Sequence, residues 1–233
     1  MRCAAVLLLL AGGAWANPDV IAARAIRDYN FTLAGREIHS IESIRDRLVP
    51  VMRKMSAKTA KSIRFQLDRG YKKKYGQTPE FLAVVSQILA AGGNKGIAKL
   101  WHRYRAEGKR DKVRLGIAEA LGGCGDERAR QTLLKIIYDK TPEVAAAAVR
   151  GCASYAQVKQ DKRKTTVKEL VKRYTKVYDD AAGKEPDTKQ AKMYQALKPV
   201  MNSTLQAFTG QELDSAAAWK AWLAENLSRN WDG

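Results

Sequence analysis

With 233 residues, 45% of them hydrophobic, the chain has enough apolar surface to build a core, which excludes wholesale disorder. Its formal charge of +18, from 42 basic against 24 acidic residues, speaks to partners and solubility and leaves the fold open. Three cysteines are too few for a small disulfide-stapled scaffold, and six prolines leave long stretches free to be helical.

The first sixteen residues read as an export signal. Arg2 supplies a positive start, Ala4 to Leu10 an uncharged apolar run, Gly12-Gly13 a break, and Ala14-Trp15-Ala16 a small-x-small cleavage pattern. The run is far below the roughly 20 residues of a membrane-spanning helix, so no transmembrane anchor is expected and the chain is read as periplasmic or secreted. Cleavage after Ala16 removes Arg2 and lowers the charge from +18 to +17.

From Val20 to Leu33 an amphipathic pattern with Ile21, Ala25, Ile26 and Tyr29 on one face predicts an opening, capping helix. Ser40 is placed to cap a helix carrying Ile41, Ile44, Leu48, Val51 and Met52, with Pro50 as a bend or stop. Ser56 opens another carrying Ala60, Ile63, Leu67 and Tyr71.

A repeat then begins. Pro79 to Leu89 overlays Asp111 to Leu121 at a shift of 32, and Pro142 to Cys152 comes at a further 31. Phe81, Val84, Val85, Ile88 and Leu89 recur as Val113, Gly116, Ile117, Ala120 and Leu121, which is one face of a helix. Gly92-Gly93-Asn94 and Cys124-Gly125-Asp126 supply matching turns, with glycine for the left-handed conformation and Asn or Asp to cap the next helix. Second stripes start at the same offset: Ile97, Leu100, Trp101 and Tyr104, then Ala129, Thr132, Leu133, Ile136 and Ile137, then Val167, Leu170, Val171, Tyr174 and Tyr178. Helix pairs this short bury their faces only by stacking on neighbours. The expected fold is therefore all-α, a solenoid of antiparallel helix pairs over residues 17–178.

Residues 179–189, with Gly183, Pro186 and four acidic side chains, read as a linker or loop. Residues 190–233 read as a helical cap. They carry a pattern from Met193 to Phe208 that Pro199 interrupts, and a last helix with Trp219, Trp222 and Leu223, just before Trp231.

The unit Asp126-Glu127-Arg128-Ala129-Arg130-Gln131-Thr132-Leu133-Leu134, with Pro142-Glu143-Val144 and an alanine run after it, resembles the HEAT repeats of bacterial proteins. Lys140-Thr141-Pro142 departs from that family's pattern, which has an aspartate directly before the proline, and Ala145 stands where it has arginine. The ending from Leu205 through Thr209-Gly210 to Trp219-Lys220-Ala221-Trp222 is similar to the tail of exported bacterial HEAT-repeat proteins of uncharacterised function. The resemblance implies a right-handed, armadillo-type superhelix and an envelope compartment. It brings no catalytic residue, because such repeats are scaffolds for many partners.

Chemistry-bearing patterns are sparse. His39 and His102 stand apart without Cys-x-x-Cys or His-x-x-x-His spacing, and no nucleophile elbow or phosphate loop is present, so neither a catalytic nor a metal or cofactor site is assigned. Cys124 and Cys152 fall on adjacent repeats, about 8–10 Å apart at helix-packing distance. They form a candidate disulfide, against the alternative of two reduced, packed thiols. Candidate polyanion-binding residues are Lys72, Lys73, Lys74, Arg103, Arg105, Lys109, Arg110, Lys112, Lys162, Arg163, Lys164, Lys168, Lys172, Arg173 and Lys176, which recur in or beside second helices. Two binding functions are in view: a non-catalytic interaction scaffold for an envelope protein, or a basic surface for an acidic envelope polymer, an anionic lipid surface or extracellular nucleic acid.

Overall fold

The structure, a computed structural model, describes residues 17–35 and 40–231; the segment read as an export signal, His39 and the last two residues lie outside them. Among the described residues there are eleven α-helices and no strand. The chain divides into two compact units, residues 1–99 and 100–233.

In the first unit α1 (Pro18–Leu33) packs on α2 (Ile41–Leu48) and α3 (Ala57–Arg69), and α4 (Pro79–Ala91) packs on α2 and α3. Each start has its cap: the side chains of Asn17, Ser40, Ser56 and Thr78 accept from first-turn amides. Pro50 does end a helix. Val49–Val51 is a single 3-10 turn after Leu48, and it still delivers Val51 and Met52 to the core. Ile41, Ile44, Leu48, Ala60, Ile63, Leu67 and Tyr71 are all buried, as the spacing requires. In α1 the face is rotated slightly, so that Ala22, Ala25, Tyr29 and Leu33 are buried while Ile21 and Ile26 are only half-buried. The Tyr29 hydroxyl donates to Leu67 O at 2.9 Å and fastens α1 to the end of α3.

α5 (Gly93–Ala106) contributes Leu100 onward to the second unit, which continues with α6 (Asp111–Gly122), α7 (Glu127–Ile136), α8 (Pro142–Ala153), α9 (Gln160–Ala181), α10 (Lys189–Thr209) and α11 (Ala216–Asn226). Packing obeys the repeat. α6 lies on α8 and α8 on α10, while α9 lies on α7, α10 and α11, and α7 joins α6 and α8. The equivalent helices α6 and α8 are thus neighbours, and the stripes of α6 and α7 are buried at every expected position. The turn between them closes as expected, with Gly125 at φ +65° and Asp126 accepting from Arg128 N at 2.9 Å.

Three expectations meet differences. α10 runs unbroken through Pro199, whose exposed ring removes one helix hydrogen bond, because Leu197, Met201, Leu205 and Phe208 hold both halves to the core. The segment 179–189 is a loop only from 182 to 188, because α9 reaches Ala181 and α10 starts at Lys189 behind the Thr188 cap. Tyr178 points outward, 44% exposed, and meets Tyr194 edge-on at 5.6 Å.

α6 and α8 approach most closely at two glycines. A Cβ on Gly122 would sit 2.7 Å from Gly151 Cα, and one on Gly151 would meet Gly122 Cα at 3.0 Å. Both obstacles are backbone, so only a shift of a whole helix makes room. Gly122→Ala is expected to cost about 1–3 kcal/mol. For a chain of this size that lowers the melting temperature by roughly 2–4 °C per kcal/mol. A thermal melt with unchanged midpoint would show that the two helices have room to separate.

Candidate functional site

The turn before α8 is built around a fully buried carboxylate. Asp139 Oδ1 accepts from Thr141 N at 2.8 Å, while Oδ2 accepts from Arg114 Nη1 at 2.5 Å and from the Tyr104 hydroxyl. Arg114 Nη2 donates to Asp111 Oδ1 at 2.7 Å and to Thr141 Oγ1 at 2.9 Å. Burial and the facing Asp139 carboxylate raise the Tyr104 hydroxyl well above its ordinary value, so it stays a donor. Because Thr141 Oγ1 is engaged by Arg114, it gives α8 no side-chain cap.

That uncapped start faces a cavity of about 890 Å³, walled by the beginnings of α6, α8 and α10 and the last turns of α9. Arg173 lies on this cavity and is 92% buried, being 8% exposed. Its Nε donates to Ile137 O at 3.0 Å and its guanidinium lies 5.3 Å from the Tyr138 ring centre, yet among the described residues no carboxylate pairs with it. Burial pulls its pKa below the ordinary arginine value, though an arginine remains charged.

A second feature gathers part of the expected basic band. Lys168, Lys172 and Lys176 succeed one another at i, i+4 along α9, and α11 adds Lys220 across a groove of about 500 Å³ with Val171 and Leu223 among its walls. Lys168, Lys172 and Lys220 make no ion pair among the described residues, while Lys176 reaches Asp180 at 3.4 Å. Lys220 is absent from the sequence-based set. In the sequence it is one outward residue between two tryptophans, and only the packing of α11 on α9 brings it to the row.

The other candidates separate. Lys72 and Lys74 are exposed in the first unit, where Lys74 lies 5.0 Å from the Tyr75 ring centre; the Lys73 side chain lies outside the described set. In the second unit Arg105, Lys109 and Lys112 are exposed, Arg103 and Arg163 are half-buried, and Arg110 pairs with Glu107 at 3.2 Å. Lys162 pairs with Glu127 at 3.5 Å, and Lys164 donates to Arg229 O at 2.6 Å beside the Trp231 ring. These last two are already engaged within the fold, and Arg173 lies buried on the cavity wall.

Cys124 and Cys152 are unbonded in this structure. Cys124 Sγ donates to Leu121 O at 3.4 Å and lies 3.8 Å from the Tyr155 hydroxyl. Complete burial pushes the Cys152 thiol up to about 12. Its folded value exceeds its ordinary 9.0, so its contribution to stability is whole below pH 9 and is lost as pH rises through that window. Alkylation at pH 8 should therefore label Cys124 in the folded protein and Cys152 only after unfolding, as read by intact mass. A species in denaturant that resists labelling until reduced would instead establish the disulfide.

Trp219 is fully buried, with its indole N–H donating to Asn202 Oδ1 at 3.1 Å, and Trp222 and Trp231 pack beyond it with centroids 5.4 Å apart. His102 is exposed on α5. Among the described residues no three His, Cys, Asp or Glu side chains gather as metal ligands, and no helix is long and apolar enough to cross a membrane. Comparison with protein-family models, with curated proteins and with solved structures finds no match to this chain.

Proposed function

We propose that the chain is a non-catalytic interaction scaffold, exported to the periplasm or beyond, in which HEAT-like helix pairs stack as a right-handed solenoid to present a binding surface for an envelope protein. The observation that carries this reading is the cavity of about 890 Å³ on the second unit, open to a ligand and bordered by helix ends. The stacking of α6 on α8, which the repeat makes equivalent, supports the solenoid, since solenoids place equivalent helices side by side. The apolar leader before Asn17 supports export. Cross-linking in native cells, with purification and mass spectrometry after it, tests the scaffold. One protein recovered in stoichiometric amount supports it, and recovery of no protein above background defeats it.

A second reading rests on a different observation, the Lys168, Lys172, Lys176 and Lys220 groove. Four ammonium groups against two carboxylates, Asp179 and Asp180, leave the groove net positive and suit an extended polyanion held mainly by charge.

A further inference from the structure

The cavity beside α8 holds more positive charge than its three carboxylates, Asp111, Glu143 and Asp180, answer, and Glu143 is exposed at the rim. Asp111 is bonded to Arg114, and Asp180 is paired with Lys176. Arg173, Lys140 and Lys189 have no ion-pair partner among the described residues. An arginine buried to this extent ordinarily sits against a carboxylate or phosphate. The amides of Glu143 and Val144, in the uncapped first turn of α8, also lack an acceptor among the described residues. A helix start of this kind carries partial positive charge, and here it shares one cavity with a guanidinium that makes no ion pair, its nearby carboxylate Asp180 being held by Lys176.

The rest of the wall is apolar. Val177 comes from α9, Met193 and Ala196 from α10, and Pro142 opens α8. A bare anion uses none of these, whereas a peptide side chain does. The volume, about 890 Å³, falls within the range of roughly 300–1,000 Å³ of clefts that enclose a ligand.

We propose that this cavity binds an acidic peptide segment, one carboxylate lying against Arg173 and the amino end of α8, and a neighbouring apolar side chain lying against Val177, Met193 and Ala196. The proposal rests on the scaffold reading and names the chemistry of the partner. Arginine presents a planar fork that meets both carboxylate oxygens, so lysine at 173 is a poor replacement even though it keeps the charge.

The test uses the purified protein and a pool of acetylated, amidated hexapeptides with a central glutamate flanked by leucine, valine, alanine, phenylalanine or glycine. A matched pool has glutamine at the centre. Binding is monitored by amide resonances and by affinity. The expected result is that the glutamate pool shifts Glu143 and Val144 and binds at least about tenfold more tightly than the glutamine pool, by the worth of one charge-assisted hydrogen-bond pair. Arg173→Lys should lose that preference, and Ala196→Trp, which fills the cavity from a half-buried position, should abolish binding. Lys168, Lys172 and Lys220 changed together to glutamine should leave it intact, Lys176 being kept because it holds Asp180. Equal binding of the two pools, retention of the preference by a folded Arg173→Lys variant, or full competition by inorganic phosphate at equal concentration would each overturn the proposal. A cellular partner whose cross-links avoid the cavity would overturn it too, while leaving the scaffold reading in place.

Discussion

Asp139→Ala is expected to lower the stability of the second unit by about 3–5 kcal/mol, the cost of leaving a buried arginine without its carboxylate. Three helices lose a common anchor at once. Tyr104 on α5 and Arg114 on α6 both donate to Oδ2, and Oδ1 sets the turn that starts α8. Arg114 is only 11% exposed, so water reaches it poorly once the carboxylate is gone. Urea unfolding monitored by circular dichroism measures the loss. Asp139→Asn should fall between, since the amide oxygen still accepts from Tyr104 or Arg114 but brings no charge, and Tyr104→Phe should cost about 1.5–3 kcal/mol, one hydrogen bond to a charged acceptor. A wild-type midpoint for Asp139→Ala would show that Asp111 and Thr141 alone satisfy Arg114.

The largest effect on binding is expected at the lysine groove. If a polyanion lies along it, four neutralised charges give affinity a salt slope of roughly −3 to −4, or a loss of about 100-fold between 50 and 200 mM salt. Changing Lys168, Lys172, Lys176 and Lys220 together to glutamine should remove most of that slope. Lys162 and Lys164 are less suitable targets, because each already meets a carboxylate or carbonyl, and Arg173 lies on the separate cavity beside α8. Heparin and an acidic polymer, titrated by fluorescence anisotropy across a salt series, serve as ligands. Elution and slope unchanged in the quadruple variant would remove the groove from consideration.

Helix periodicity is legible in the sequence because it depends on neighbours three and four residues away. The stripes Val113, Gly116, Ile117, Ala120, Leu121 and Ala129, Thr132, Leu133, Ile136, Ile137 are buried without exception. Rotations and ends are harder. Nothing local says that Pro199 will be carried through a helix or that Tyr178 will face outward, since both depend on what α10 meets after folding. The candidate sites are legible only as composition. Asp139 reads as an ordinary turn residue, three places before the proline and outside the family pattern, until Tyr104 and Arg114 arrive from two earlier helices. Arg173 groups with surface lysines because its neighbours in sequence are basic, yet its place on α9 turns it inward. Lys220 is hidden for the opposite reason, being isolated in sequence and joined to the row only by packing.

The row on α9 also bears on the protein without a partner. Lysines at i, i+4 repel by a few tenths of a kcal/mol per pair, and across the groove Lys220 adds a further like charge. At an ionic strength of 0.01 M this repulsion reaches about 30 Å, and at 0.15 M only about 8 Å. Added salt therefore acts in opposite senses on the same four residues. It relaxes the empty groove and raises the resistance of α9 and α11 to unfolding, while it weakens the hold on any polyanion. High salt thus favours the row without a ligand, and a ligand that neutralises the row adds most to the stability of α9 and α11 in dilute buffer.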